Sequence, residues 1–251
     1  MKKKILILIP AYNEEKNIVS VLTKLNQSKF IKYCDVLVID DGSTDHTREK
    51  AEECHTKVIR QIFNMGYGAA LQTGYKYAEK KEYEFLIQMD ADGQHDIENI
   101  ERISEALQSE RKPDIVIGSR YLNGSQSFKQ SKIRLFAIWM FRKIIRIFTG
   151  DNITDPTSGL QGLSRKAFSK YAQFQWFDIR YPDLNMILQM IFLGYRVEEV
   201  PAIMHERTEG EAMHSGIIRP MKYMILMSLS SVNAIIRYRK LARRIRQMNK
   251  E

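Results

Sequence analysis

The sequence predicts an α/β protein with a Rossmann-like, mostly parallel sheet flanked by helices, and three observations support this. Runs rich in aliphatic residues at 4–9, 35–39, 57–62 and 85–89 indicate strands, and the continuous apolar run at 4–9 is typical of a strand buried on both faces. Helical stretches follow these runs after short loops, and such alternation favours right-handed crossovers between parallel strands. Three of the four strands end in acidic or polar clusters, which a parallel sheet brings to one edge.

Length and composition limit the class of protein. A chain of 251 residues with 44% hydrophobic residues can form one large α/β domain. Cys34 and Cys54 have no metal-ligand spacing and indicate the reduced thiols of a cytosolic chain. We expect no signal peptide, because the apolar run after the basic start is short and meets Pro10. We also expect no transmembrane helix, because the longest uncharged helical stretch, 223–236, has 14 residues and a bilayer needs about 20.

The net charge of +9 is concentrated in two blocks. Residues 129–146 hold six Lys or Arg and no acid, and residues 237–251 hold seven with one Glu. Both blocks adjoin apolar helical runs, at 135–141 with Trp139 and at 223–236. Basic amphipathic helices with aromatic anchors indicate a membrane surface, and a solvated basic face is the alternative. We expect no nucleic-acid partner, because the chain has none of the usual binding motifs.

The remaining elements follow from the same pattern. A helix is expected after each of the first four strands, capped by Ser43 or Thr44 in the second case and by Asp96 in the fourth. Gly66 and Gly68 precede the third helix, where they make a turn or a close approach to a ligand. A fifth strand is expected at 115–117, and further helices within 129–146, from just after residue 183 to about 193, and at about 217–248.

Two carboxylates, Asp90 and Asp92, follow the fourth strand directly. Alternate residues of an extended chain point the same way, so both project to one side. Hard oxygen ligands at the open end of a strand suit Mg²⁺ or Mn²⁺. A merely polar turn is the alternative. A dinucleotide-binding loop at Gly66 is rejected, because it follows the third strand and Leu71 stands where the third glycine is needed.

Several short motifs occur together along some 200 residues. They are PAYNE at 10–14, DDGSTD at 40–45, DADGQ at 90–94, GSRY at 118–121, DPTSG at 155–159 and GYRVEEVP at 194–201. In this order the chain resembles the inverting family-two glycosyltransferases, and most of all the branch of dolichyl-phosphate mannosyltransferase and bacterial polyprenyl-phosphate glycosyltransferases. The resemblance implies a GT-A fold.

The resemblance also implies a donor and a metal. The donor would be a UDP- or GDP-type nucleotide sugar, and the cofactor Mg²⁺ or Mn²⁺. Asp90, Asp92 and Gln94 would form the metal site. The donor-binding residues carried over from the motifs are Pro10, Ala11, Tyr12, Glu14, Asp40, Asp41, Asp90, Ala91 and Asp92.

On the acceptor side, the resemblance implies a polyprenyl phosphate. Arg120, Arg134, Arg207 and His214 would contact its phosphate, and Arg120 and Arg207 are also expected to serve catalysis. Ala212 and Met213 stand where this branch usually has Ser-Lys, so the hydroxyl of a lipid-linked saccharide in cell-wall, capsule or other surface polysaccharide assembly is the alternative acceptor.

A hydroxyl acceptor requires a general base. Asp183 is the candidate, with Asp178 as a weaker one, and an N-cap role is the other interpretation of Asp183.

We expect residues 1–216 to form the GT-A domain, with a nucleotide-sugar half at 1–120 and an acceptor half at 121–216. Residues 217–251 would form a basic amphipathic C-terminal helix that contacts the membrane or a second copy in a homo-oligomer. The expected protein is a peripheral enzyme at the cytoplasmic face of the cell membrane. A nucleotidyltransferase is disfavoured because no Gly-rich, basic loop follows the first strand, and a catalytically dead scaffold because both Asp90 and Asp92 are intact.

Overall fold

The computed structural model describes residues 3–128, 130–180, 182–206 and 218–248, with side chains of the last range described for 226–241. Arg207 and His214 therefore lie outside the described residues, as do Ala212 and Met213. Within the described residues, no helix has the length and apolar character needed to cross a membrane.

Seven strands form one sheet in the order β3-β2-β1-β4-β6-β5-β7. Strand β6 pairs antiparallel with both of its neighbours, while β1 pairs parallel with β2 and β4, β2 with β3, and β5 with β7. The prediction of a mostly parallel sheet is thus confirmed. The strands are β1 (Ile5–Ala11), β2 (Cys34–Asp40), β3 (Lys57–Arg60), β4 (Phe85–Gln88), β5 (Ile115–Ser119), β6 (Gln161–Ser164) and β7 (Val197–Pro201).

Helices cover both faces of the sheet. The helices are α1 (Ile18–Gln27), α2 (Thr47–Glu53), α3 (Tyr67–Lys80), α4 (Glu98–Gln108), α5 (Lys132–Thr149), α6 (Arg165–Ala172), α7 (Leu184–Phe192) and α8 (Ile218–Met248), with 3₁₀ turns at Lys29–Lys32 and Phe174–Trp176. Each expected helix is present.

The expected cap of α2 is wrong. Neither Ser43 nor Thr44 caps it; the Asp45 carboxylate instead accepts a hydrogen bond from Thr47 N at 3.0 Å. Asp96 does stabilise the first turn of α4, accepting from Glu98 N at 2.9 Å, although Ile97 occupies the N-cap position.

The core explains why the first strand is apolar at every position. Ile5, Ile7 and Ile9 belong to one buried cluster, and Leu6 and Leu8 to the other, so β1 is covered on both faces. Full burial of each such side chain contributes about 1.5–3 kcal/mol. The second cluster also includes side chains of α5, α7 and α8, so these helices contribute to the core on one face of the sheet.

Candidate active site

The carboxyl ends of β2, β1 and β4 lie side by side because these strands are parallel neighbours. Ala11, at the end of β1, is paired with Asp40, and its carbonyl accepts from Asp41 N at 2.9 Å. Pro10 and Ala11 are buried, and Tyr12 next to them is 43% exposed. The predicted donor residues of the first two motifs therefore meet at one edge.

The loop after β1 is tied to the loop after β2. Glu14 N donates to Thr47 Oγ1 at 2.8 Å, and the Glu14 carboxylate accepts from Asn17 Nδ2 at 2.7 Å. Asp40 is fully buried; its Oδ1 accepts from Ser43 N at 3.0 Å. Its Oδ2 lies 3.4 Å from Arg60 Nε. Asp40 thus stabilises the loop, and its direct contact with a donor stays a prediction.

Asp41 holds the turn that begins α3. Its two carboxylate oxygens accept from Met65 N and Gly66 N, each at 2.8 Å. Burial raises the pKa of Asp41, while these two amide bonds act to lower it. Gly66 has a φ of +96°, which side-chain-bearing residues rarely adopt, so this glycine makes the turn. At Gly68 a Cβ would lie 2.3 Å from Ile179 O, so that glycine allows close packing of the chain.

Asp90 is held on both carboxylate oxygens. Tyr67 Oη donates to Oδ1 at 3.1 Å, and His95 Nε2 lies 3.4 Å from Oδ2. Burial raises the pKa of Asp90, but the bonds from His95 and Tyr67 and the charge of Arg120 outweigh it and lower the pKa overall. Gly159 covers the carboxylate, since a Cβ there would lie 2.9 Å from Asp90 Oδ2.

Tyr67, His95 and Gly159 are site residues that the sequence analysis missed. Tyr67 stands between Gly66 and Gly68, His95 directly follows DADGQ, and Gly159 is the last residue of DPTSG. The motifs could have pointed to them, but the contacts of Tyr67 and Gly159 with Asp90 join residues far apart in the chain. Burial and the charge of Asp90 raise the pKa of Tyr67, so its hydroxyl stays protonated and donates.

The donor set of the third motif fits a hard cation. Asp90 and Asp92 offer carboxylate oxygens and Gln94 an amide oxygen, which are ligands of the kind that Mg²⁺ and Mn²⁺ take. Gln94 N donates to Asp92 Oδ1 at 3.0 Å, and Gln94 Nε2 to His205 O at 3.3 Å. The described residues hold no group of three or more His, Cys, Asp and Glu suited to a metal, so a cation here would complete its shell with ligand oxygens and water.

Arg120 lies at the end of β5 in a buried ion pair. Its Nε and Nη2 each lie 2.6 Å from a carboxylate oxygen of Asp155, and Nη2 also donates to Thr157 Oγ1 at 3.0 Å. Glu199 on β7 fixes the same loop, because its carboxylate accepts from Thr154 N and Asp155 N. Arg120 thus anchors the loop, and its contact with an acceptor stays a prediction.

Asp183 and Arg134 both lie within electrostatic range of Arg120, and Asp183 also lies within range of Asp90. Burial and the charge of Asp90 raise the pKa of Asp183 to about 7, against the opposing effect of Arg120 and Arg134. Arg134 is exposed as a residue, but partial desolvation of its guanidinium and the charge of Arg120 lower its pKa. These mutual effects show that the four side chains share one electrostatic environment.

Asp183 occupies the N-cap position of α7, as one interpretation of the sequence expected. Its side chain, however, makes no capping hydrogen bond. Asn185 Oδ1 accepts from Met186 N at 2.9 Å in its place. Asp178, the weaker candidate base, accepts at Oδ2 from Asn185 Nδ2 and from Ser230 Oγ, so it belongs to a structural cluster behind the site.

A mostly parallel sheet with Asp90 and Asp92 at the carboxyl ends of its strands is the arrangement expected of a GT-A glycosyltransferase. Comparison with known proteins agrees. The chain belongs to glycosyl transferase family 2, whose model matches residues 6–172.

Named relatives extend over most of the chain. An undecaprenyl-phosphate mannosyltransferase of Micrococcus luteus is 32% identical over 227 residues, covering 85% of this chain and 88% of that protein. A polyprenol monophosphomannose synthase of Mycolicibacterium smegmatis is 29% identical, covering 84% and 81%.

Solved structures share the fold. The mannosyltransferase PcManGT from Pyrobaculum calidifontis, in complex with GDP-Man and Mn²⁺, superposes with a TM-score of 0.67 at 16% identity, over 93% of this chain and 65% of that one. Glucosyl-3-phosphoglycerate synthase from Mycobacterium tuberculosis, with Mn²⁺, UDP-glucose and phosphoglyceric acid, gives 0.68 at 14% identity, over 93% and 80%. At these identities the likeness supports the GT-A fold alone.

Proposed function

We propose that this glycosyltransferase moves a hexose from a UDP- or GDP-sugar to a polyprenyl phosphate, with inversion at the anomeric carbon. The observation that carries the proposal is that Arg120 acts electrostatically on both Asp90 and Asp183, and Arg134 on Asp183, which brings two cations to the acidic edge. The names of the Micrococcus and Mycolicibacterium relatives support the same acceptor class.

The donor would bind at the edge formed by β2, β1 and β4. Tyr12 is exposed beside Asp41, where a nucleoside can lie against its ring. Asp90, Asp92 and Gln94 would hold Mg²⁺ or Mn²⁺, which supplies positive charge to the departing nucleoside diphosphate. The structural neighbours solved with Mn²⁺ and a nucleotide sugar support a divalent cation at this position of the fold.

The acceptor oxygen of a lipid phosphate is anionic at neutral pH, so it needs placement and charge balance more than proton removal. Arg134 sits in the first turn of α5 and is exposed. Its pKa is lowered partly by Arg120, which shows two positive charges close together. A phosphate between them would relieve this repulsion, and a guanidinium fork matches phosphate geometry. Arg207 and His214 remain proposed partners from the sequence.

The acceptor would be reached at a membrane surface, with the enzyme peripheral to the cytoplasmic face. Helix α5, which carries Arg134 in its first turn, also carries the exposed side chains of Phe136 and Trp139. The rings of these two residues stack with centroids 5.9 Å apart. Exposed Val232 and Ile236 of α8 line an apolar groove against α5, with Arg239 and Lys240 also on its lining. Apolar side chains flanked by cations match an anionic bilayer.

A hydroxyl of a lipid-linked saccharide is the second candidate acceptor, and one observation favours it. A carboxylate with a pKa of about 7 beside the reaction site is suited to accept a proton near neutral pH. Asp183 would then be the general base. With a phosphate acceptor, the same carboxylate would instead balance the charges of Arg120 and Arg134.

Radiolabelled nucleotide sugars, Mn²⁺ and two acceptors separate these candidates. The acceptors are pure undecaprenyl phosphate and a total membrane lipid extract. Product on the pure lipid phosphate, lost in Arg134→Ala, supports the first candidate. Product with the extract alone, lost in Asp183→Asn, would replace it with the second.

A further inference from the structure

Helix α8 is linked to the proposed acceptor side through a part-buried polar cluster between it and α7. The cluster consists of Asp178, Asn185 and Ser230. We propose that Asn185 and Ser230 are positioning residues that fix Asp183, so that the seating of α8 sets the geometry of the acceptor side. The inference rests on the role of Asp183 given above.

Asn185 fixes the backbone around Asp183. Its Oδ1 accepts from Asp183 N at 3.1 Å and from Met186 N at 2.9 Å. The Asn185 side chain therefore accepts hydrogen bonds from backbone N–H groups at the start of α7. An aspartate at the N-cap position would otherwise accept such bonds. Because the Asp183 carboxylate makes no capping bond, it can take part in the charge cluster with Asp90, Arg120 and Arg134.

Ser230 fixes Asn185 in turn. Asn185 is 5% exposed, and its Nδ2 donates to Ser230 Oγ at 2.8 Å and to Asp178 Oδ2 at 2.8 Å. The Ser230 hydroxyl donates to the same Asp178 oxygen at 3.0 Å. The hydroxyl both accepts and donates, and only a hydroxyl-bearing side chain of this size can do so here. The orientation of the Asn185 amide is thereby coupled to α8.

The Asp178 carboxylate accepts hydrogen bonds from the cluster and from the backbone that follows it. Its Oδ1 accepts from Arg180 N at 2.9 Å, while Oδ2 receives the two bonds from Asn185 and Ser230. The Asp178 carboxylate and the Asp183 backbone are thus held by side chains of α7 and α8. Since α8 is also the helix whose exposed apolar side chains would meet a bilayer, a shift of α8 on docking would be transmitted to Asp183.

Ser230→Ala tests the link, and Ser231→Ala is a matched control in the same helix. The Ser231 hydroxyl is buried and donates within α8, to Met227 O at 2.7 Å. In the full-length Ser230→Ala protein, we expect amide hydrogen exchange at Asp183 and Met186 to be about fivefold faster or more. Ser231→Ala is expected to leave these two amides unchanged, and Ser230→Thr, which retains the hydroxyl, to restore them.

A double-mutant cycle tests the functional consequence. With whichever acceptor the wild-type protein uses, Ser230→Ala is expected to lower kcat about three- to tenfold at unchanged donor KM. In an Asp183→Asn background the same change is expected to cause no further loss, because its effect passes through Asp183.

Unchanged exchange in Ser230→Ala, or equal losses in both backgrounds, would overturn the inference. Absence of transfer by the wild-type protein to either lipid acceptor would instead overturn the proposed function. The exchange measurement needs no substrate, so it decides the inference in that case as well.

Discussion

Asp90 and Asp92 lie two residues apart, but the protein holds them differently. Tyr67 and His95 engage both oxygens of Asp90, and Gly159 leaves its carboxylate no room on one side. Asp92 is contacted by the amide of Gln94 within its own loop. At the scale of residues, Tyr67 and His95 thus fix the orientation of Asp90, and metal binding by Asp90 and Asp92 is the proposal to be tested.

Asp92→Ala is expected to lower sugar transfer by about a hundredfold or more, because it removes a ligand of the charge-balancing cation. Folding should be preserved, since Asp92 lies in a loop at the sheet edge. Transfer rates and Mn²⁺ binding in the presence of donor measure both effects. Asp151→Ala, which alters an exposed carboxylate, is the control. Full transfer by Asp92→Ala would refute the metal assignment.

Asp183 gives a pH-dependent prediction. Its folded pKa, about 7, lies above the ordinary value of 3.8, so the folded state binds more protons between these limits. The contribution of Asp183 to the free energy of unfolding is therefore fully present below pH 4 and is lost as the pH rises through 7. Asp183→Asn removes the buried charge and is expected to raise the melting temperature at pH 8 more than at pH 5, in metal-free buffer. An equal change at both pH values would contradict the raised pKa.

Sequence motifs located most of the residues at the acidic edge but not their partners. Asp41, Asp90 and Asp92 stand at strand ends, where a local pattern is informative. The contacts of Asp90 with Tyr67 and Gly159 depend on which strands become neighbours, which no local pattern shows.

At the scale of elements, the loop between α5 and β6 brings distant parts of the chain together. Asp155 in this loop pairs with Arg120 of the β5 end, Glu199 of β7 holds its backbone, and Gly159 packs on Asp90. The loop thus fixes the acidic edge relative to the acceptor side.

Asp155→Ala is expected to destabilise the fold by about 3–5 kcal/mol, because it leaves the buried Arg120 without a counter-charge. Equilibrium denaturation in urea measures the change. Glu84→Ala is the control, since its ion pair with Lys4 is exposed and such pairs contribute about 0–1 kcal/mol. Similar losses in the two variants would contradict the structural role of the buried pair.

The exposed face of α5 gives a prediction about lipid. Phe136→Ser combined with Trp139→Ser is expected to weaken sedimentation with anionic vesicles, because it removes two exposed aromatic side chains. Phe174→Ser changes an equally exposed ring on a different element and serves as the control. High salt should weaken binding by the wild-type protein. Binding that is unaffected by the double change would exclude this face as the lipid contact.

Strands β6 and β7 were not predicted, whereas β1, β2 and β4 were. Strand β6 consists of Gln161–Ser164, four residues without an apolar run, and β7 carries Glu198 and Glu199. Their strand conformation is stabilised by pairing with β4 and β5 rather than by intrinsic propensity. Strands β1, β2 and β4 have buried apolar residues on both faces, so their apolar runs identify them, whereas the predicted β3 is a half-exposed edge strand.

At the scale of the whole molecule, the proposed function uses neighbouring parts of one edge of the sheet. The proposed donor side is where β2, β1 and β4 end, and the proposed acceptor side is where β5 ends and α5 and α7 begin. Under this proposal, the apolar and basic side chains of α5 and α8 would contact the lipid surface, and Arg134 would bind the lipid phosphate.

The most direct measurement is transfer of labelled sugar to pure undecaprenyl phosphate by the wild-type protein, with Arg134→Ala and Asp92→Ala in parallel. We predict a labelled lipid product that depends on Mn²⁺ or Mg²⁺ and is strongly reduced in both variants. No product on the lipid phosphate with any UDP- or GDP-sugar, together with product in the membrane lipid extract, would contradict the central claim.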